Sequence, residues 1–335
     1  ELQSLRHLVC RLLLEKRNAT RKLIKELFQK YLSNAYLDKM EDASSLPPTE
    51  YPLALTTDSF VITPLEFPGG DIGKLAICGT VNDLWMIGAQ PVYLTAGFIL
   101  EEGLDLYLLE KIISSLSLAA KEAGVMIVAG DTKVIQGNGG MYINTTGLGY
   151  QKHYDLLSNN PIKAGDSIIV SGNLGDHHAC IMSQRMGIEN NIKSDCANLG
   201  SIVKQLLECK IAVRSMRDIT RGGLGTVLNE IAEASSVAIE IEESSIPINP
   251  EVKALCEILG LDPLYMANEG KFLCIIPQED EEKALSIFKS NPIGENATVI
   301  GKVISSNYNL VTLKTRLGGK RIVDILYGEG LPRIC

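Results

Sequence analysis

"TTDSFVITPLEFPGGDIGKLAICGTVNDL", residues 56–84, changes its periodicity once, and that change decides the fold. From Leu53 the run LALTTDSFVI is rich in β-branched and aromatic side chains and reads as a strand. FPGGD at 67–71 turns the chain. Beyond it Ile72, Leu75, Ala76, Gly79 and Met86 recur at helical spacing, so a helix with one apolar face follows the turn. Asp58 and Asp83 fall near the ends of these two elements.

Working outward, PVYLTAGFIL (91–100) predicts a strand and LDLYLLEKIISSLSLAAKEAG (104–124) a long amphipathic helix ending at Gly124. VMIVAG (125–130) reads as a buried strand, QGNGG (136–140) as a loop and MYINTTGLGY (141–150) as a further strand. These last two strands are neighbours in sequence and suit antiparallel pairing. That favours a mixed α+β arrangement over a doubly wound sheet. Upstream, Leu23, Ile24, Leu27, Phe28 and Tyr31 predict helix up to about Met40, after which Pro47, Pro48 and Pro52 stop it. Downstream, SNNPIKAGD (158–166) reads as a domain boundary. The strand SIIVSG (167–172) and helices near 176–187 and 196–209 then repeat the strand-and-helix theme to about Leu326. The expected organisation is a helical segment at 1–50, an α+β domain at 51–157, an α/β domain at 158–326 and a flexible tail at 327–335.

A chain of 335 residues suits two domains, and 45% apolar with 21% charged residues suits a soluble globular enzyme. The net charge of -8 disfavours nucleic acid, whose phosphate backbone needs a basic face. A nucleotide is compatible, because a bound cation and a lysine neutralise phosphates locally. The eight cysteines never form a C-x-x-C pair, so neither a zinc ribbon nor a disulfide framework is expected. A reducing cytoplasm accommodates them as small hydrophobes. No apolar run reaches the roughly 18 residues of a membrane span. The opening ELQSLRHLVCRLLLEKRN is interrupted by Arg6, Arg11 and Glu15 and makes a poor signal peptide.

Three aspartates, Asp58, Asp83 and Asp131, stand at ends of elements, where a scaffold places metal-binding carboxylates. Mg²⁺ takes such oxygen donors together with phosphate and water; capping of a helix or turn is the alternative for each. Lys133 supplies a cation two residues from Asp131. In RDITRGGLG (217–225) glycines precede a helix, a setting in which backbone N–H groups approach phosphate. Glu269 in ANEGK could be a base or a surface carboxylate. His177, His178 and Cys180 lie close together in GDHHAC, but adjacent histidines diverge on a helix, so a structural role is expected. At the end, YGEGLPRIC joins two glycines and a proline to Cys335. This is either a swinging arm that carries a nucleophile or a frayed tail with an incidental cysteine.

TTDSFVITPLEFPGGDIGKLAICGTVNDL, AGFILEEGL, GDTKV, INTTGLG, SGNLGDH, RDITRGG, ANEGK and PRIC occur here in one order, from about residue 51 to 335. This set resembles the family of the hydrogenase maturation factor HypE, within the superfamily of aminoimidazole ribonucleotide synthetase and selenophosphate synthetase. The resemblance implies a two-domain α+β / α/β fold whose N-terminal sheet forms a β-barrel across a homodimer. It implies ATP and Mg²⁺ as cofactors, with Asp58, Asn82, Asp83 and Asp131 at the ATP–metal site and Thr220, Arg221, Gly222 and Gly223 against phosphate. Lys133 and Glu269 occupy the positions for proton transfer or oxygen polarisation, and Cys335 carries the substrate. The implied reaction converts the S-carbamoyl group received from the carbamoyltransferase HypF into a thiocyanate. The cyano group then passes through a HypC–HypD complex to the iron of a nickel–iron hydrogenase. Two positions depart from the family pattern. LEKRNATRKLI (14–24) stands where members carry a His-Gly-Ser-Gly-Gly stretch, and His178 stands where glycine is common.

Overall fold

The structure, a computed structural model, describes residues 23–41, 43–152, 161–306 and 308–325. Most of the glycine-free stretch 14–24 and the whole of the tail with Cys335 lie outside the described residues. The chain divides into two compact units. Gly70–Leu84 and Gln90–Tyr150 join the residues up to Glu66 in the first; Phe67–Gly69 and Trp85–Ala89 join the residues from Gln151 onward in the second. No helix among the described residues is long and apolar enough to cross a membrane.

In the first unit the strands β1 (Leu53–Phe60), β4 (Gln90–Glu101), β5 (Met126–Ile135) and β6 (Met141–Tyr150) form one sheet in the order β1-β6-β4-β5. Two short strands, β2 (Glu66–Phe67) and β3 (Gly70–Asp71), pair separately. Helix α1 (Ile72–Met86) follows the glycine turn, and α2 (Leu106–Ala123) links β4 to the parallel β5. The Asp105 side chain caps α2 by accepting from the Tyr107 and Leu108 N–H groups, and Gly124 at φ 69° ends it. The helix expected upstream is confined, among the described residues, to Ile24–Phe28, Gln29–Leu32 and a turn at Leu37–Lys39. Phe28 anchors it, edge-on to Phe98 with ring centroids 4.8 Å apart.

β5 and β6 do not pair with each other, contrary to the sequence expectation. β6 runs antiparallel to both β1 and β4 and inserts between them. The parallel β4–α2–β5 crossover takes the other side of β4. The sheet has one buried face: Ala54, Phe60, Leu94, Ala96, Phe98, Leu100, Met141 and Ile143 lie on it. On the other, Leu53, Leu55, Ile99 and Ile135 are exposed by 56, 70, 42 and 43%, without a cover among the described residues.

The second unit holds a seven-stranded sheet in the order β13-β12-β9-β11-β7-β10-β8, antiparallel except between β9 and β12. Its strands are β7 (Ser167–Val170), β8 (Ser215–Asp218), β9 (Ala238–Glu242), β10 (Phe272–Ile276), β11 (Thr298–Ile304), β12 (Val311–Lys314) and β13 (Lys320–Ile322). β7 and β10 are apolar without alternation because helices bury both faces. Ile168, Val170, Leu273 and Ile275 pack on the side of α5 (Gly223–Ser235). Ile169, Phe272, Cys274 and Ile276 pack on the side of α4 (Gly200–Glu208) and α7 (Glu281–Lys289). Helices α3 (Asp176–Met186) and α6 (Pro250–Leu259) complete the unit.

Candidate active site

In the first unit, β1 and α1 are joined by two crossed hydrogen bonds. The Thr56 hydroxyl donates to Asp83 at 2.9 Å, and the Thr80 hydroxyl donates to Asp58 at 3.1 Å. Residues two apart on a strand thus meet residues three apart on a helix, and both carboxylates face the strand–helix seam. Burial pushes the Asp58 carboxyl above the usual carboxylate range, and the Thr80 hydroxyl offsets part of that rise. Asn82, on the same helix, is buried.

Asp131 does not share this seam. Asp58 pairs with Thr145, Thr145 with Ala96, and Ala96 with Gly130, so Gly130 lies in their row and Asp131 projects from the opposite face. There it is exposed and bound to Lys133 at 2.8 Å. The hydrogen bond from Lys133 holds the Asp131 carboxyl below its usual range. Among the described residues no three His, Cys, Asp or Glu side chains converge as a metal site. The donor chemistry of Asp58 and Asp83 nevertheless fits Mg²⁺. They are two oxygen donors on one seam, one of them desolvated without a cation beside it, and such a site draws its remaining ligands from phosphate and water.

In the second unit, the loop Met266–Lys271 is the centre of the polar network. Asn268 is fully buried; its Nδ2 donates to the carbonyls of Ile219 and Met266, and its Oδ1 accepts from the Gly175 N–H at 2.7 Å. One amide thereby joins this loop to the start of α3 and to the strand end that leads into Thr220–Gly223. Asp195 accepts from the N–H groups of Glu269 and Gly270 at 3.1 and 3.2 Å. Gly270 is required at this approach, since a Cβ there would lie 1.9 Å from the Asp195 carbonyl oxygen. Glu269 is buried, so the surface-carboxylate alternative falls. Gly222 and Gly223, at φ 79° and 63°, make the left-handed turn that starts α5, and Arg221 beside them is exposed.

The histidines have structural partners. His177 Nδ1 meets the Ser194 hydroxyl at 2.7 Å, and the Phe67 ring lies edge-on against its imidazole. His178 binds the Ala267 peptide twice: its N–H donates to the Ala267 carbonyl at 3.2 Å, and its Nδ1 accepts from the Ala267 N–H at 3.4 Å. Only the second contact needs the imidazole; the first is made by the backbone N–H, which any residue at 178 would supply. Asn268 and Asp195 escaped the sequence reading. ANEGK carried the only signal for the first, and nothing local marks the second.

The N-terminal domain of the AIR synthase related protein family matches residues 40–151, and its C-terminal domain matches residues 163–314. The carbamoyl dehydratase HypE of Azotobacter vinelandii is 48% identical over 319 residues, 93% of each chain. The chain belongs to the HypE family. A crystal structure of the hydrogenase maturation protein HypE in complex with ATP superimposes with a TM-score of 0.90 at 45% identity, covering 96% of this chain and 98% of that one. A HypE–HypF complex matches with a TM-score of 0.78 at 45% identity, over 91% and 99% of the two chains. The ordered HypE motifs in the sequence are therefore a true family signature, and the two-domain mixed fold is that of the HypE structures.

Burial holds both imidazoles neutral, at a pKa of about 4 against an ordinary 6.5. Their stabilising contribution is present above about pH 6.5 and is lost as pH falls towards 4. Asp176, raised to about 6 by burial and by Asp195, works in the opposite sense, since its protonation on acidification relieves the folded state. Two rings outweigh one carboxyl, so stability should fall on acidification through this window. His178→Asn, whose Oδ1 can replace Nδ1 as acceptor, should reduce that fall by up to about 3 kcal/mol. Denaturant unfolding of both proteins at several pH values between about 7 and 4.5 measures it; parallel curves would show that His178 does not titrate on unfolding.

Proposed function

We propose that this protein is an ATP-dependent carbamoyl dehydratase that converts an S-carbamoyl group on Cys335 to a thiocyanate, the source of the cyanide ligands of nickel–iron hydrogenase. The observation that carries this reading is the near-complete superposition on HypE in complex with ATP at 45% identity. Carbamoyl oxygen is a poor leaving group. Phosphoryl transfer from ATP converts it to phosphate; loss of both N–H protons and of phosphate then leaves C≡N, with ADP and phosphate as products.

In this reading Asp58, Asn82 and Asp83 serve Mg·ATP, and Thr220, Arg221, Gly222 and Gly223 receive phosphate; Asp131, on the opposite face of the same sheet, does not join that metal seam within one chain. Mg²⁺ would supply charge neutralisation on the phosphates. Lys133 is already ion-paired with Asp131, which suits it to polarise the carbamoyl oxygen. Glu269 is then the proton acceptor, on a loop fixed by Asn268 and Asp195. The open apolar face of the first sheet supports a homodimer, closed by a second copy into a barrel, with Asp131 and Lys133 on that same face. HypF as the carbamoyl donor is supported by the HypE–HypF complex, and HypC–HypD as acceptor by the family's chemistry. The cytoplasm is the compartment in which that chemistry and eight unpaired-spacing cysteines belong. The glycine-free stretch 14–24 favours one second reading, a carrier that holds the carbamoyl group without turning it over.

Incubation with the carbamoyltransferase, carbamoyl phosphate and ATP should add the mass of HNCO to the C-terminal peptide and then remove one water. Cys335→Ala should abolish both changes, and a carbamoylated tail that never loses water with ATP would establish the carrier reading. Asp83→Asn should weaken Mg·ATP binding by calorimetry by roughly tenfold or more; unaltered affinity would remove Asp83 from the nucleotide site. Glu269→Gln should bind ATP normally and lose dehydration. For the dimer, Leu55→Lys should yield monomers by light scattering, and an unchanged mass would exclude that face as the interface.

A further inference from the structure

One cavity of about 240 Å³ in the second unit has no part in the scheme above. Its lining combines Asp176, Asp195, Lys271 and Asn296 with the apolar Pro292 and Ile293. Lys193 also lines it but is exposed, so water serves its charge. The space accepts a compact molecule of fewer than about ten non-hydrogen atoms.

Two opposite charges in this lining lack a counter-charge in contact. Asp176 stands in the first turn of α3, and its Oδ1 is buried with no hydrogen-bond partner. Lys271 exposes only 10% of its side chain, yet its ammonium makes no hydrogen bond among the described residues. The nearest carboxylate, Asp195, has its Oδ2 at 4.0 Å and is already engaged, since it accepts from the Glu269 and Gly270 N–H groups. No ion pair joins Asp176 to Lys271 among the described residues. The Lys271 stem packs over Gly172, where an added Cβ would stand 3.1 Å from its Cε. Any side chain at 172 would therefore press on that stem. Charges withdrawn from water without a contact partner are unfavourable, and a ligand that supplies the partners recovers that cost.

The arrangement selects the class of ligand. A metal ion drawn to Asp176 would be repelled by Lys271. A phosphate drawn to Lys271 would meet two carboxylates. A primary amide reaches both groups with neutral atoms and leaves both charges uncompensated. A zwitterion answers both, with an anionic group for Lys271 and a cationic group for Asp176, and it brings no net charge into the cavity. Burial and the Asp195 charge raise the Asp176 carboxyl to about 6, and Lys271 offsets only part of this, as expected of a carboxylate that lacks a cation in contact. Pro292 and Ile293 suit a small uncharged side chain on the ligand.

We propose that this cavity is a binding site for a small α-amino acid with an uncharged side chain, its carboxylate paired with Lys271 and its ammonium with Asp176. The site lies wholly in the second unit and does not depend on the reading of Cys335. Lys271 follows Glu269 by two residues in the loop that Asp195 clamps, so the ligand is held beside that loop.

Isothermal titration of the full-length protein with L-alanine at pH 7.5, where Asp176 is ionised, is the test. Alanine should bind at one site per chain with a Kd of about 1 mM or tighter, the worth of two charge-assisted contacts. Acetate and methylamine each offer one of the two charges and propionamide offers neither, so each should bind at least roughly tenfold more weakly. Asp176→Asn and Lys271→Met should each weaken alanine binding roughly tenfold or more. Asp176→Asn is isosteric and keeps the test decisive if Lys271→Met does not fold. No saturable binding of alanine below about 10 mM would overturn the site. Acetate or propionamide binding as tightly as alanine would overturn the zwitterion, and unaltered alanine affinity in Asp176→Asn would overturn the location. The titration uses neither ATP nor a carbamoyl group, so its outcome is separate from that of the dehydratase reading.

Discussion

The buried amide of Asn268 is the contact on which the second unit's site depends. It makes three hydrogen bonds, to the Ile219 and Met266 carbonyls and from the Gly175 N–H, and so ties together three loops at the ends of the paired strands β7, β10 and β8. Each loop carries a different part of the proposed site: the turn Thr220–Gly223, the start of α3, and Glu269 itself. A fully buried amide of this kind costs several kcal/mol if left unpaired, so it favours the arrangement in which all three loops supply its partners. His178 and Asp195 reinforce the same loop, one through the Ala267 peptide and the other through the Glu269 and Gly270 N–H groups.

The first unit uses the same economy on a smaller scale. Thr56 and Thr80 hold Asp83 and Asp58 in a strand–helix seam, where each carboxylate is positioned by a hydroxyl that donates to it. A hydroxyl lowers the cost of burying a carboxylate without neutralising it, which leaves the charge free to attract a cation. Lys133 is arranged otherwise. It is paired with Asp131 on the exposed face of the sheet, so its charge is directed towards whatever covers that face.

Much of this was legible in the residues. The strand and helix of residues 53–86, the long helix after Asp105 and the continuous apolar strands of the second half follow from periodicity and turn chemistry, which act over a few neighbours. The ordered motifs carried the family. The pairing of β6 with β1 and β4 was not legible, because either register of a strand with its partners satisfies the same alternation and only the crossover through α2 decides which edge is free. The part of His178 was equally hidden: its acceptor and donor both belong to a peptide at Ala267, far along the chain.

The sequence by itself determined which residues carry charge, which segments are strand or helix, and that the chain belongs with HypE, since these depend on local chemistry and on order. Only the tertiary structure decided which charges share a surface. Asp58 and Asp83 meet at one seam while Asp131 faces away, because alternate residues of a strand point to opposite faces and a shift of one row separates them. Asp195, unremarkable in sequence, becomes the clamp of the Glu269 loop because Gly270 lets two backbones approach more closely than any side chain would permit.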